Sequence, residues 1–197
     1  MNKNLIIIGG IIALLLLLGG CGYNGMVKQE QAAKSSWAQV ENQYQRRNDL
    51  IGNLVNTVKG YADFEQKTLT DVIEARANAT KITVNAEDLS PEKIKAFQQS
   101  QGQLSQALGR LMVVSEQYPQ LRASEQFTML QAELSGTENR VATARMDFNN
   151  AVQTYNSTIK TFPNVIFSGM MGFHEKGYFE AEQGAEKAPK IGKDAFK

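Results

Sequence analysis

The sequence predicts an all-α protein: an antiparallel four-helix bundle with long first and last helices, preceded by an amino-terminal signal or anchor segment. Three observations predict it. No stretch after Cys21 sustains the apolar–polar alternation of a half-buried strand. Only four prolines interrupt the 197 residues. Two long segments carry mainly apolar side chains at unbroken steps of three and four, which places them on one side of a helix.

The elements follow in chain order. Leu5 to Leu18 is an apolar run, preceded by Lys3 and followed by Gly19-Gly20-Cys21. A basic start, an apolar stretch and small residues at its exit describe a secretory signal. The run is a few residues short of the roughly 20 needed to cross a bilayer, although extension to Tyr23 makes it just long enough for an uncleaved anchor. The order Leu18, two small residues, Cys21 resembles the lipobox of bacterial lipoproteins, in which the thiol carries diacylglycerol and becomes the new amino terminus. Both routes, a lipidated Cys21 and a retained span, tether the chain to a membrane.

The first bundle helix is read from Trp37, Val40, Tyr44, Arg47, Ile51, Leu54, Val58 and Tyr61. A second, shorter helix holds Leu69, Val72, Ile73, Arg76 and Ala79, with Asp63 and Gln66 spaced as a capping box. A third holds Ile94, Phe97, Leu104, Leu108 and Leu111. It starts at Ser90-Pro91, a capping residue followed by the residue best tolerated at the first helical position, and stops at Tyr118-Pro119. The last helix carries Phe127, Leu130, Leu134, Thr137, Val141, Ala144, Phe148, Ala151, Tyr155, Thr158 and Phe162, a coiled-coil-like seam. Amphipathic helices joined by short turns pack most simply as an antiparallel bundle. The organisation is therefore a signal or anchor over 1–21, a bundle over 22–162 and an aromatic-containing tail over 163–197. Gly and Pro break any long helix in that tail, yet its aromatics are costly to leave in water. It is expected to fold back on the bundle or dock a partner, with a flexible end from about Gly184.

Charge and composition narrow the function. Apart from Lys3, the 20 remaining basic side chains match 20 acidic ones. Nucleic acid is not an expected partner, because counterion release needs a cationic surplus. One Cys excludes an internal disulfide and a multi-thiolate zinc site, and one His leaves few general bases. No phosphate loop, HExxH or nucleophile elbow is present. No catalytic residue, metal or cofactor is expected.

The stretch YNGMVKQEQAAKSSWAQVENQYQRRNDLIGNLVNTVKGYADFEQKTLTDVIEARANA, Tyr23 to Ala79, resembles the signature block of the LemA family. Further similarity lies between Ser105 and Asn156, and in the FPNVIF, GF and YF motifs of the tail. Gly52 stands where the family pattern has proline, which puts in doubt a fixed kink in the first helix. The resemblance implies a helical bundle with amino-terminal membrane attachment, no established enzymatic activity, and an envelope or membrane-organising setting.

Candidate sites are few. Arg46, Arg47 and Asp49 face the neighbours of the first helix, with Arg47 on the apolar stripe itself. A buried guanidinium needs a partner, and Glu133, Glu138 and Asp49 are the candidates. This group, with Asn53 and Arg140, reads as a register-setting ion-pair layer or as a partner or ligand pocket. Asn56, Asn139 and Asn149 allow the same two readings, with buried amides favoured. Glu74-Ala75-Arg76 and Glu138-Asn139-Arg140 offer acids at the density of any solvated helix. His174 reads as a surface histidine. Phe167, Met170, Met171 and Phe173 form an adaptable apolar patch that docks a partner or the membrane surface, or else packs on the bundle.

The expectation is thus a non-enzymatic, membrane-tethered bundle of the bacterial envelope acting by contact with an unidentified envelope protein. Its location is that of an exported lipoprotein, in the outer membrane of a Gram-negative cell given Gly22 beside Cys21, or of a single-pass inner or plasma membrane protein. The alternative is a sensing module that binds a small ligand between helices near Arg47 and Asn53. An enzyme would require perturbed acids converging in a cleft. The oligomeric state is left open.

Overall fold

A computed structural model describes the backbone of residues 3–61 and 64–181, and the side chains within 22–61 and 64–181. The Cys21 side chain, the Asp63 cap and the segment from Gly184 lie outside the described residues. The fold is all-α, and no strand occurs among the described residues. The elements are α1 (Lys3–Lys59), α2 (Gln66–Lys81), α3 (Pro91–Ser115), α4 (Pro119–Arg122), α5 (Glu125–Lys160) and α6 (Asn164–Phe167). Four long helices make the bundle. The single turns α4 and α6 are additions that periodicity over one turn cannot reveal.

The helix ends follow local chemistry. Ser90, in extended conformation, precedes α3, and Pro91 occupies the first turn, where a missing N–H costs nothing. The α3 chain stops at Ser115, and Pro119 opens the one-turn α4. Ser124 caps α5 by accepting from the Phe127 N–H at 3.4 Å. Glu125 in the first turn and Lys160 in the last suit the helix dipole. At α2 the cap position belongs to Glu65, whose carboxylate accepts from the Thr68 hydroxyl at 2.7 Å. Helix α5 runs through Gly136 without a break.

Helices α1 and α5 pack along most of their shared length, and α2 and α3 form a second pair against them. The first pair is antiparallel: Val58 shares a cluster with Phe127, whereas Met26 shares one with Ile159. The core has three stations along the rod. At the far end Ile51, Leu54, Val58, Leu104, Leu111 and Phe127 pack together. At the middle Trp37, Tyr44, Phe97, Phe148 and Val152 do so. Met26, Tyr155, Ile159 and Phe173 close the near end. The α1 stripe is buried from Trp37 to Val58 as its period requires.

The α5 seam departs from its sequence pattern in the second half. Burial follows the expected residues from Phe127 through Phe148, with Leu130 only partly buried, then moves to Val152, Asn156 and Ile159, with Tyr155 in common. Phe162, the expected end of the seam, is 74% exposed. A strict seven-residue repeat rotates about 20° per heptad on a straight helix, so a straight helix shifts its buried face over five heptads. The returning tail also lies on this new face.

Candidate functional site: a buried arginine layer, a distal groove and a clamped tail

Arg47 lies on the apolar side of α1, so its guanidinium enters the bundle with only 2% exposure. Its Nε lies 2.7 Å from Glu138 Oε1, and its Nη2 donates to Ser105 Oγ at 2.6 Å. The guanidinium carbon is 5.9 Å from the centroid of the Tyr44 ring one turn away. One cation thereby links α1, α3 and α5. Its carboxylate partner is half exposed, so water reaches one side of the pair. Arg46, one residue earlier, points outward and pairs with Glu133 at 2.9 Å. Two adjacent arginines thus reach two glutamates five residues apart on α5 and join the two long antiparallel helices. Asp49 takes no part in this layer. It is exposed and lines a cleft of about 390 Å³ with Gly52, Asn53 and Arg76. Arg140 is exposed and donates to Thr137 Oγ1 at 2.9 Å.

Gly52 sits beneath Arg76. A Cβ at this position would approach the Arg76 guanidinium at 3.1 Å, and Arg76 Nε donates to the Asn48 carbonyl at 3.0 Å. Helix α1 is continuous here.

Three of the four asparagines read as register-setting amides are exposed, and the expectation of burial is corrected for Asn53, Asn56 and Asn139. Their positions flank the apolar stripe without lying on it. Asn53 and Asn56 line a groove of about 750 Å³ between α1 and α5 at the far end of the rod. Thr57, Glu125, Gln126, Met129, Leu130 and Glu133 complete it. The groove is open and mixed in polarity.

Asn149 acts differently, together with Asn156, which periodicity alone did not single out. The chain after α6 returns along the bundle as an extended segment over 173–181. Asn156 Nδ2 donates to the Lys176 carbonyl at 2.9 Å, and the Lys176 N–H donates back to Asn156 Oδ1 at 3.0 Å. Asn149 repeats the arrangement with Phe179, both bonds at 2.9 Å. From α3, Gln98 does the same with Glu180, at 2.8 and 3.0 Å. Each side-chain amide substitutes for a neighbouring strand, so the segment obtains sheet-like hydrogen bonds without a sheet. The spacing is self-consistent. Seven residues of helix advance about 10.5 Å at roughly 1.5 Å each, and three extended residues advance about 10 Å at roughly 3.3 Å each.

Side chains complete the clamp. Phe179 lies on Trp37, with centroids 6.1 Å apart and planes within 15°, and meets Phe148 edge-on at 5.6 Å. Trp37 Nε1 donates to the Val84 carbonyl of the α2–α3 loop at 3.2 Å. Gly177 passes against the start of α3: a Cβ there would fall 2.6 Å from Pro91 Cα. Lys176, 6% exposed, places its ammonium 3.0 Å from Glu30 Oε1 and 4.9 Å from the centroid of the Tyr155 ring. Burial and the Glu30 charge push the Tyr155 phenol up to about 12, and its hydroxyl donates to the His174 carbonyl at 3.0 Å. His174 itself is exposed.

The apolar patch of the tail divides. Phe173 is buried and meets Tyr23 edge-on at 5.7 Å, Phe167 is half buried, and Met170 and Met171 are exposed. Among the described residues, two acids have shifted titration. Partial burial raises Glu41, and hydrogen bonds from Lys93 and Ser90 lower Asp88. Neither lines the two clefts described above. Among the described residues, no group of three or more His, Cys, Asp or Glu is placed to hold a metal ion, and no helix is long and apolar enough to cross a membrane.

The LemA family pattern matches residues 36–192. Magnetosome protein MamQ 1 of Paramagnetospirillum magneticum is 29% identical over 191 residues, covering 88% of this chain and 70% of that protein. Magnetosome protein MamQ of Magnetospirillum gryphiswaldense is 28% identical with the same coverage. Protein LemA of Metamycoplasma hominis is 22% identical over 160 residues, covering 81% and 69%. The matched span includes the arginine layer, the distal groove and the clamped tail, and the chain belongs to the LemA family.

Proposed function

We propose that this protein is a non-enzymatic, membrane-tethered bundle that acts by protein–protein contact, with the rod holding its contact surface away from the bilayer. The observation that carries this reading is the position of the distal groove. It opens beside Asn53 and Asn56 of α1, some thirty residues beyond Tyr23, and about 45 Å away at roughly 1.5 Å per residue. The apolar run Leu5–Leu18 lies at the opposite end of the same continuous helix. The amino-terminal segment supplies the tether, through a Cys21 lipidated after removal of that run or through a retained span to Tyr23. Relatives named as magnetosome proteins rather than as enzymes support the reading.

A photo-crosslinking residue at Met129, which lines the groove and is exposed, tests it in cells. A discrete adduct is expected from Met129 and not from exposed Met146, and is lost when Leu130→Glu is added. Identical adduct patterns from the two positions would overturn the reading. The alternative of a small ligand held inside the bundle is weakened, since the Arg47 charge is already matched by Glu138 and Ser105.

A further inference from the structure

The end of the bundle nearest the amino terminus carries an apolar surface that the clamped tail leaves uncovered. Phe162 and Met170 are 74% and 77% exposed, and Val165, Ile166 and Met171 are exposed beside them. They belong to one compact cap, the segment 161–173 built around α6. Asn164 Nδ2 holds the cap to the Thr158 carbonyl at 3.0 Å, and Ser168 O accepts from the Phe173 N–H at 3.0 Å. The cap touches α1 where that helix leaves the bundle: a side chain at Gly22 would collide with Asn164 Oδ1, and Tyr23 packs on Phe173.

Charge distribution identifies the occupant. No charged residue lies between Lys3 and Lys28, and none between Lys160 and Glu175. These two uncharged stretches meet at the same end of the rod, and the first charges beyond them are Lys28 and the Lys160–Glu175 pair at 2.7 Å. A contact surface between soluble proteins surrounds its apolar core with a polar, solvated rim, whereas a surface entering lipid must shed charge because ions are costly to desolvate there. Exposed Phe, Ile and Met on a helical cap suit the interfacial layer of a bilayer.

We infer that the 161–173 cap inserts its apolar residues into the interfacial region of the bilayer that holds the amino-terminal tether, so that the bundle stands end-on. The inference rests on the tethering reading. It adds a second, non-covalent membrane contact more than 130 residues away in sequence, and one that fixes orientation. A tether alone leaves the rod free to swing or lie flat; a tether plus a wedge at the same end does not.

The full chain, reconstituted into phosphatidylcholine vesicles containing bromine-labelled lipid, tests this. Met170→Trp and Val165→Trp place indoles on the cap, and Met129→Trp places one at the far end; the parent emission of buried Trp37 is subtracted. Flotation with the vesicles and strong quenching at 170 and 165, but not at 129, are expected. Flotation without quenching at 170 and 165 would overturn the inference while leaving the tether intact. Quenching at all three positions would mean a rod lying flat, and would also overturn it. A blue-shifted, unquenched emission at 170 would also overturn it, and would assign the cap to a second copy of this chain. Failure to float would overturn the tether and the inference together.

Discussion

Replacing Asn156 by Leu tests whether amide side chains hold the returning tail. Asn156 is buried, and its amide satisfies both backbone groups of Lys176, at 2.9 and 3.0 Å. Leucine keeps much of the volume but leaves a buried N–H and a buried carbonyl without partners. Each costs about 1–3 kcal/mol, so the intact docked state loses about 2–6 kcal/mol. Once that loss exceeds the docking energy of residues 173–181, the segment detaches, and the effect on global unfolding levels off. Trp37 reports the difference, because it is the only tryptophan and Phe179 covers its face. Release of Phe179 should shift Trp37 emission to the red and speed amide exchange over 173–181, while α1 and α5 stay protected. Asn150→Leu, an exposed change one residue after Asn149, should do neither. Unchanged emission and exchange in Asn156→Leu, with stability within about 0.5 kcal/mol of the parent as for an ordinary surface change, would refute the clamp.

Gly177→Ala drives a Cβ into the Pro91 backbone and should release the same segment, read by the same Trp37 shift. Glu138→Gln removes the negative charge that balances the Arg47 guanidinium, leaving it neutral partners alone. Breaking a buried pair costs about 3–5 kcal/mol, and the half-exposed glutamate reduces this to about 1–3 kcal/mol. In urea titration, Arg47→Met with Glu138→Gln should be less destabilised than the sum of the single changes. Tyr155 gives a pH signature. Its folded pKa of about 12 stands above the ordinary 10.0, so the unfolded chain ionises first and stability falls as pH rises from about 10 to about 12. Tyr155→Phe should flatten that fall, seen as a weaker pH dependence of the melting temperature.

Much of the bundle is legible in the sequence because one physical rule governs it. The α1 stripe from Trp37 to Val58 packs against a regular partner, and its step pattern equals its burial pattern. Ser90-Pro91 marks a helix start through backbone chemistry that needs no tertiary context. The same reading stretches the α5 seam too far, since Val152, Asn156 and Ile159 face a tail whose position periodicity cannot supply. The tail is hard to place because its docking uses the backbone of Lys176, Phe179 and Glu180, which any residue offers. The available signal was on the receiving side: Asn149 and Asn156 lie seven residues apart, and a glycine stands between the residues they bind. Arg47 was visible as a charge on an apolar stripe, and Glu138 was one of several acids within reach. The choice among those acids depends on the registry of two helices far apart in sequence.

The tether is tested most directly by recovering the protein from membranes of its own cell after alkaline washing and measuring its intact mass. Retention in the membrane is predicted. Loss of residues 1–20 plus the mass of acyl chains would identify Cys21 as the anchor, and an unprocessed mass would identify Leu5–Tyr23. Release into the wash, whatever the mass, would contradict a membrane-tethered bundle.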